Sequence, residues 1–341
     1  MHKFPNLNDF IPPNLTVSNP ALKLHHKFNE DDCYALWSAY AAGRPLLVRG
    51  KPGTGKSQLA KAIAEQLGWA LVSEVIRGST EVSDLHWHFD AIGRLGEAQA
   101  MNNQAYAAEK TTTGKKPLDP LNYLSPGAFW WAYDWQSASE QYTACATRLR
   151  PKPETAGDGT SQPNGVVLLL DEIDKAEPDL PNGLLETLGH YRFSVPYIDH
   201  ADKQANIKNP ITGNPERLLV VITTNEEREL PTAFVRRCFV HTLKMEESDA
   251  PVDEKNPTPK RLQWLIDRGR LHFGAGIAEL VYRKAAELLW QDRAAGSHTR
   301  YPPGLAEYID LLTALKNLQH DDQELRLEKI SGYALKKEVA D

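Results

Sequence analysis

Gly50-Lys51-Pro52-Gly53-Thr54-Gly55-Lys56-Ser57, entered by the apolar run Pro45-Leu46-Leu47-Val48, is the stretch whose reading decides the fold. It fits the Gly-x-x-x-x-Gly-Lys-Ser pattern of a phosphate loop in the context that pattern needs, a short buried strand before it and a helix after it. The helix is read from Leu59, Ala62, Ile63 and Leu67, which share one face of residues 56 to 67. Gly50, Gly53 and Gly55 let the backbone turn tightly and aim successive N–H groups at an anion, and the new helix points its positive end at the same place. Lys56 would supply a point charge to the outer phosphates, and the Ser57 hydroxyl a ligand for Mg²⁺. Lys51, Pro52, Thr54 and Gln58 complete the loop and helix start expected around a bound nucleotide.

Moving outward, Ala70 to Ile76 reads as a second strand, and a helix capped by Ser79 or Thr80 is expected to run through Asp90 to about Ala100. Val166-Val167-Leu168-Leu169-Leu170 and Leu218-Leu219-Val220-Val221-Ile222 are apolar without alternation, which means burial on both faces, as in central parallel strands. The first ends in Asp171-Glu172-Ile173-Asp174-Lys175, the second in Thr223-Thr224-Asn225. A helix over Leu180 to His190 lies between them, and Cys238 to Leu243 is one more short strand. Strands alternating with helices predict an α/β fold, a parallel sheet with helices on both faces. From about residue 246 the periods are helical (Val281, Ala285, Leu288, Leu289; then Leu305, Ile309, Leu312), which predicts a smaller helical domain over 246–341. Residues 1–30, with four prolines, read as an irregular lead-in; 31–245 is the α/β domain, with an insertion and flexible loop over 101–165.

The chain of 341 residues carries a net charge of −6, so it has no global basic field of the kind that holds nucleic acid. Cys33, Cys145 and Cys238 are widely spaced, which argues against a disulfide framework or a zinc site and fits a reducing compartment. Neither a signal-peptide core nor a run of about 18 apolar residues is present, so the expected location is cytoplasmic, with no membrane span. Trp130, Trp131 and Trp135 fall at helical spacing and are expected in the core. His86 and His88, two apart, would not share a helix face, which argues against metal ligation.

Strand ends at the carboxyl edge of such a sheet are where ligands bind. That places Asp171 to hold Mg²⁺ through water, Glu172 to polarise an attacking water, and Thr224 or Asn225 to orient the same water or touch the γ-phosphate. The order of these motifs, followed by Leu230-Pro231-Thr232-Ala233-Phe234-Val235-Arg236-Arg237 and a helical C-terminal region, resembles the AAA+ ATPases. Most closely the chain is similar to the MoxR branch, grouped with the dynein-related ATPases, over about residues 35 to 320.

The resemblance implies a P-loop NTPase fold with a C-terminal helical lid, in which Lys56, Ser57 and Asp171 bind Mg-ATP, Glu172 is the catalytic acid and Asn225 is sensor 1. It also implies an arginine finger, at Arg237 or its neighbour Arg236, reaching the nucleotide of the next subunit of a ring, usually a hexamer. Arg300, ahead of Pro302 and Pro303, is the candidate for the lid's second sensor. Chaperone-like remodelling of a client, often a von Willebrand A-domain protein, is the activity implied. Two alternatives stay open: a nucleic-acid motor of a restriction-like complex, for which Arg148, Arg150 and Lys152 form the only basic cluster in the flexible loop, and an ATP-gated scaffold with little turnover.

Overall fold

The computed structural model describes residues 7–12, 14–101, 118–145, 151–153, 162–198, 207–253, 255–295 and 302–335. Besides short single turns, its elements in chain order are β1 (Thr16–Asn19), β2 (Leu24–Lys27), α1 (Glu30–Ala41), β3 (Leu46–Arg49), α2 (Lys56–Leu67), β4 (Ala70–Val75), α3 (Val82–His86), β5 (Trp87–Phe89), α4 (Ala91–Ala100) and β6 (Leu124–Pro126). They continue with α5 (Ala128–Tyr133), α6 (Trp135–Ala144), β7 (Val166–Asp171), α7 (Asp179–His190), β8 (Arg192–Phe193), β9 (Ile211–Thr212), β10 (Leu218–Thr224), α8 (Thr232–Val235) and β11 (Phe239–Thr242). The helices α9 (Lys260–Phe273), α10 (Glu279–Ala295), α11 (Leu305–Leu315) and α12 (His320–Ala334) follow.

The central sheet is parallel and five-stranded, in the order β11-β3-β10-β7-β4, and helices flank it. Val166 stands opposite Leu218 on one side and Ala70 on the other, so β7 is paired along both edges. Every residue of β10 and all but the last of β7 are buried, as unalternating aliphatic runs require. By contacts the chain divides into two compact units: residues 1–11, 33–47 and 63–240, and residues 12–32, 48–62 and 241–341.

In the first unit the core gathers Leu168, Leu170, Val220 and Ile222 from the sheet with Phe129, Trp130, Trp131 and Trp135. The aromatic run is therefore interior, and the Trp130 indole N–H donates to Ser137 Oγ at 2.8 Å, the partner a buried indole needs. One expectation is corrected. The helix expected from Thr80 to Ala100 is broken, because residues 87–89 form β5 and pair antiparallel with β6. Gly127 permits this approach, since a Cβ there would lie 2.6 Å from the Leu85 carbonyl. Asp90 then starts α4 afresh by accepting from the Gly93 amide at 2.7 Å.

In the second unit α9 to α12 pack around Leu265, Val281, Tyr282, Tyr308, Leu311 and Leu312. Here the lead-in reading is corrected too: Thr16–Asn19 and Leu24–Lys27 form an antiparallel hairpin, turned by Lys23 in the left-handed region and packed on α9. Lys27 pairs with Asp267 of that helix at 3.7 Å. Asn29 and Asp32 cap the start of α1 reciprocally, each side chain accepting from the other's amide, at 2.9 and 2.7 Å. Burial alone would raise the Asp32 carboxyl, but the hydrogen bond from His241, at 2.7 Å, together with the His26 ring 3.8 Å away, outweighs it and holds the group below the usual carboxylate range.

Candidate functional site

The phosphate-loop residues form one cluster. Gly50, Gly53 and Gly55 have φ of +147°, +76° and +94°, a region side chains disfavour. At two of them space adds its own demand: a Cβ on Gly50 would lie 2.6 Å from the Leu243 carbonyl oxygen, and one on Gly53 2.7 Å from Ala306 Cβ. Gly55 is required by φ alone, with nothing within 4 Å. Thr54 Oγ1 donates to the Lys51 carbonyl at 2.9 Å and stiffens the loop. The Lys56 ammonium is buried and donates to the carbonyls of Gly50 (2.8 Å) and Lys51 (3.0 Å), which centres the charge on the loop. Lys51 and Pro52 are exposed, Ser57 half-buried, and Gln58 Oε1 is a buried acceptor without a partner among the described residues. A glycine cradle with a central ammonium fits the charge and shape of a triphosphate.

The strand ends β7 and β10 form the other cluster. Glu172 follows the last residue of β7 with φ 60° and ψ 50°, a left-handed conformation that costs a non-glycine residue roughly 1–2 kcal/mol. What holds it is Thr223, which is fully buried: its hydroxyl accepts from the Glu172 amide at 2.9 Å and donates to Asp171 Oδ1 at 2.5 Å. The parallel register, with Ile222 opposite Leu170, is what brings Thr223 beside Asp171. Asn225 Nδ2 donates to Glu172 Oε1 at 3.2 Å. The loop after β10 is tied down by the buried Asp174, whose carboxylate accepts from the amides of Asn225 (3.2 Å) and Glu227 (3.0 Å). Thr224 does something else: its hydroxyl accepts from the Glu226 amide at 2.9 Å and closes the turn.

The structure thus brings together Asp171, Glu172 and Asn225, and adds Thr223 and Asp174, to which sequence reading gave no role. Two threonines in a row on a strand buried on both faces carry no alternation that would say which reaches Asp171. The cluster pairs a carboxylate suited to a hard cation with a second carboxylate oriented by an amide, the set a general base for water needs.

Arg236 and Arg237 follow α8, are exposed, and form no ion pair among the described residues. Arg237 lines a cavity of about 340 Å³ with Arg44, Tyr191, Phe234 and Cys238. Arg300 lies outside the described residues, as do Arg148 and Arg150. His86 has a structural part: it stacks on Phe193 with centroids 4.3 Å apart and shares a 2.9 Å hydrogen bond with Thr187 Oγ1, and burial pushes its pKa down to about 4.

A parallel sheet in this order, with a glycine-hinged lysine loop after one strand and an Asp-Glu pair after another, defines an α/β protein of the P-loop nucleotide-binding class. Residues 45–238, more than half of the chain, match the family model described as AAA domain (dynein-related subfamily), and the chain belongs to that family. Membership implies nucleotide binding and hydrolysis in general and a tendency to oligomerise. A search of curated proteins finds no match.

Among solved structures, the chain is similar to the Thermotoga maritima RuvB Holliday junction branch migration motor at 16% identity, covering 88% of this chain and 67% of that one, with a TM-score of 0.40. A point mutant of the same RuvB gives 16% identity, 88% and 68% coverage and a TM-score of 0.44. A putative ATPase from Cytophaga hutchinsonii gives 14% identity, 85% and 77% coverage and a TM-score of 0.35. These scores carry no functional assignment to this chain. Among the described residues no helix is long and apolar enough to cross a membrane.

Proposed function

We propose that this chain is a MoxR-type AAA+ ATPase that hydrolyses ATP within a ring, of hexameric type, and uses the cycle to remodel or activate a partner protein, with residues 246–341 as the lid. Membership of the dynein-related AAA family supports ATP as the substrate. The observation that carries the reading is the Thr223-clamped turn, which presents Glu172 with its carboxylate already hydrogen-bonded to Asn225.

In this reading the loop amides and Lys56 bind the β- and γ-phosphates, and Ser57 and Asp171 would hold Mg²⁺, which would supply neutralising charge there. Glu172 takes the proton of the attacking water while Asn225 fixes the carboxylate's direction. A finger supplied in trans, Arg237 in preference to Arg236, would add about 10³–10⁵ in rate. The lid's second sensor is assigned to Arg300. A cytoplasmic location and a client of the von Willebrand A-domain type complete the proposal.

The test is a mixing experiment with Mg-ATP. Arg237→Ala subunits alone should bind ATP and turn over slowly, and adding Glu172→Gln subunits, which keep their own finger, should restore turnover at the Arg237→Ala sites. Absence of rescue would reject the finger in trans. Steeply salt-dependent stimulation of the wild type by DNA would favour a nucleic-acid motor instead.

A further inference from the structure

The second unit shows how the start of α11 is held against the phosphate loop. Gly304, the N-cap of α11, donates its amide to Glu307 Oε2 at 2.8 Å, and a Cβ built on it would lie 4.0 Å from the Pro52 carbonyl oxygen and 3.7 Å from Met245 Sδ. Two residues further on, Ala306 meets Gly53 so closely that the loop has no room for a side chain there. The chain just before this helix start is fixed from α10. The guanidinium of Arg293, only 13% exposed, donates from Nη1 to the Pro303 carbonyl at 2.7 Å and from Nη2 to Glu247 at 3.3 Å. It also lies 5.0 Å from the Trp290 ring centroid, an arrangement that fixes the planar group. Glu247 is well exposed, so the carbonyl bond is the one that positions the turn.

We infer that Arg293 is a positioning residue for nucleotide affinity: by gripping the Pro303 carbonyl it seats Ala306 on Gly53 and so keeps the phosphate loop in its binding shape. The inference rests on the ATPase reading. Arg293 touches no reacting group; it acts through the Pro303–Ala306 turn. Its loss should therefore loosen the grip on any nucleotide, ADP included, more than it slows the chemical step.

The test measures binding of mant-ADP and steady-state ATP turnover in the full chain, as wild type, Arg293→Met and Arg293→Lys. Losing one hydrogen bond from a charged donor predicts an mant-ADP dissociation constant and an ATP KM about tenfold higher in Arg293→Met, with kcat changed less than about threefold. Arg293→Lys, which keeps a donor, should recover most of the affinity. A merely structural arginine would lower thermal stability and the active fraction, and hence kcat, at unchanged KM; that result would overturn the inference, as would wild-type affinity in folded Arg293→Met. If Arg293→Met fails to fold, Ala306→Gly removes the methyl that meets Gly53 and leaves Arg293 in place. Its mant-ADP affinity should fall about threefold, the worth of part of one packed methyl, and wild-type affinity there would contradict the seating. A wild-type chain that binds neither mant-ADP nor ATP would remove the ATPase reading itself.

Discussion

The two clusters are built by opposite means. The phosphate loop is a backbone device: three glycines at positive φ, two of them also crowded by Leu243 and Ala306, shape it, and its lysine is anchored on the loop's own carbonyls. The β7–β10 strand ends form a side-chain device, in which Thr223, Asn225 and Asp174 hold Asp171, Glu172 and the following loop by hydrogen bonds. Lys56 apart, the backbone device depends little on its side chains, and its shape is lost when a Cβ is added at one of these glycines. A side-chain device fails when one hydroxyl is lost, while its backbone remains.

The largest expected break is Lys56→Ala, which removes the one charge centred on the loop: turnover should fall about 10²–10³-fold, measured as phosphate release under saturating ATP. Thr223→Val comes next. It removes the Thr223 hydroxyl that donates to Asp171 and accepts from the Glu172 amide, at about 1–3 kcal/mol, so kcat should fall about 10–100-fold with nucleotide affinity retained. Thr223→Ser should restore most of the rate, and a Val variant as fast as wild type would show that the clamp has no kinetic role.

Gly53→Ala sharpens the contrast from the other side: it should weaken nucleotide binding about tenfold, through strain at φ +76° and the Ala306 contact, with kcat less affected. The smallest effect concerns stability. His86 is held neutral, with its pKa pushed down to about 4 by burial, so the unfolded chain binds more protons than the folded one between about pH 6.5 and 4. Its contribution is complete above that window and is lost as pH falls through it. His86→Phe should therefore flatten the fall in Tm between pH 7.5 and 5 by about 2–4 °C, and parallel Tm curves for the two proteins would contradict this.

This contrast also explains what is legible in the sequence. The shape of the phosphate loop is readable, because its constraints are on residue type at fixed spacing: glycine where φ is positive, and lysine where the charge is centred. Asp171 and Glu172 are readable because they end an aliphatic run. Thr223 is not, because a threonine in a buried strand is unremarkable until the register with β7 is known. The break of the Thr80–Ala100 helix is hidden for a related reason, since β5 exists only by pairing with β6 some 35 residues later. The hairpin over Thr16–Lys27 is held by α9, more than 230 residues away, and its four-residue strands are too short to show a period.

The central claim, that Glu172 serves ATP hydrolysis and not ATP capture, is tested most directly by measuring mant-ATP binding and phosphate release on one preparation each of wild type and Glu172→Gln. The account predicts equal affinity within about threefold and turnover lower by at least about 10²-fold in the variant. Turnover at the wild-type rate, or loss of binding together with turnover, would contradict it.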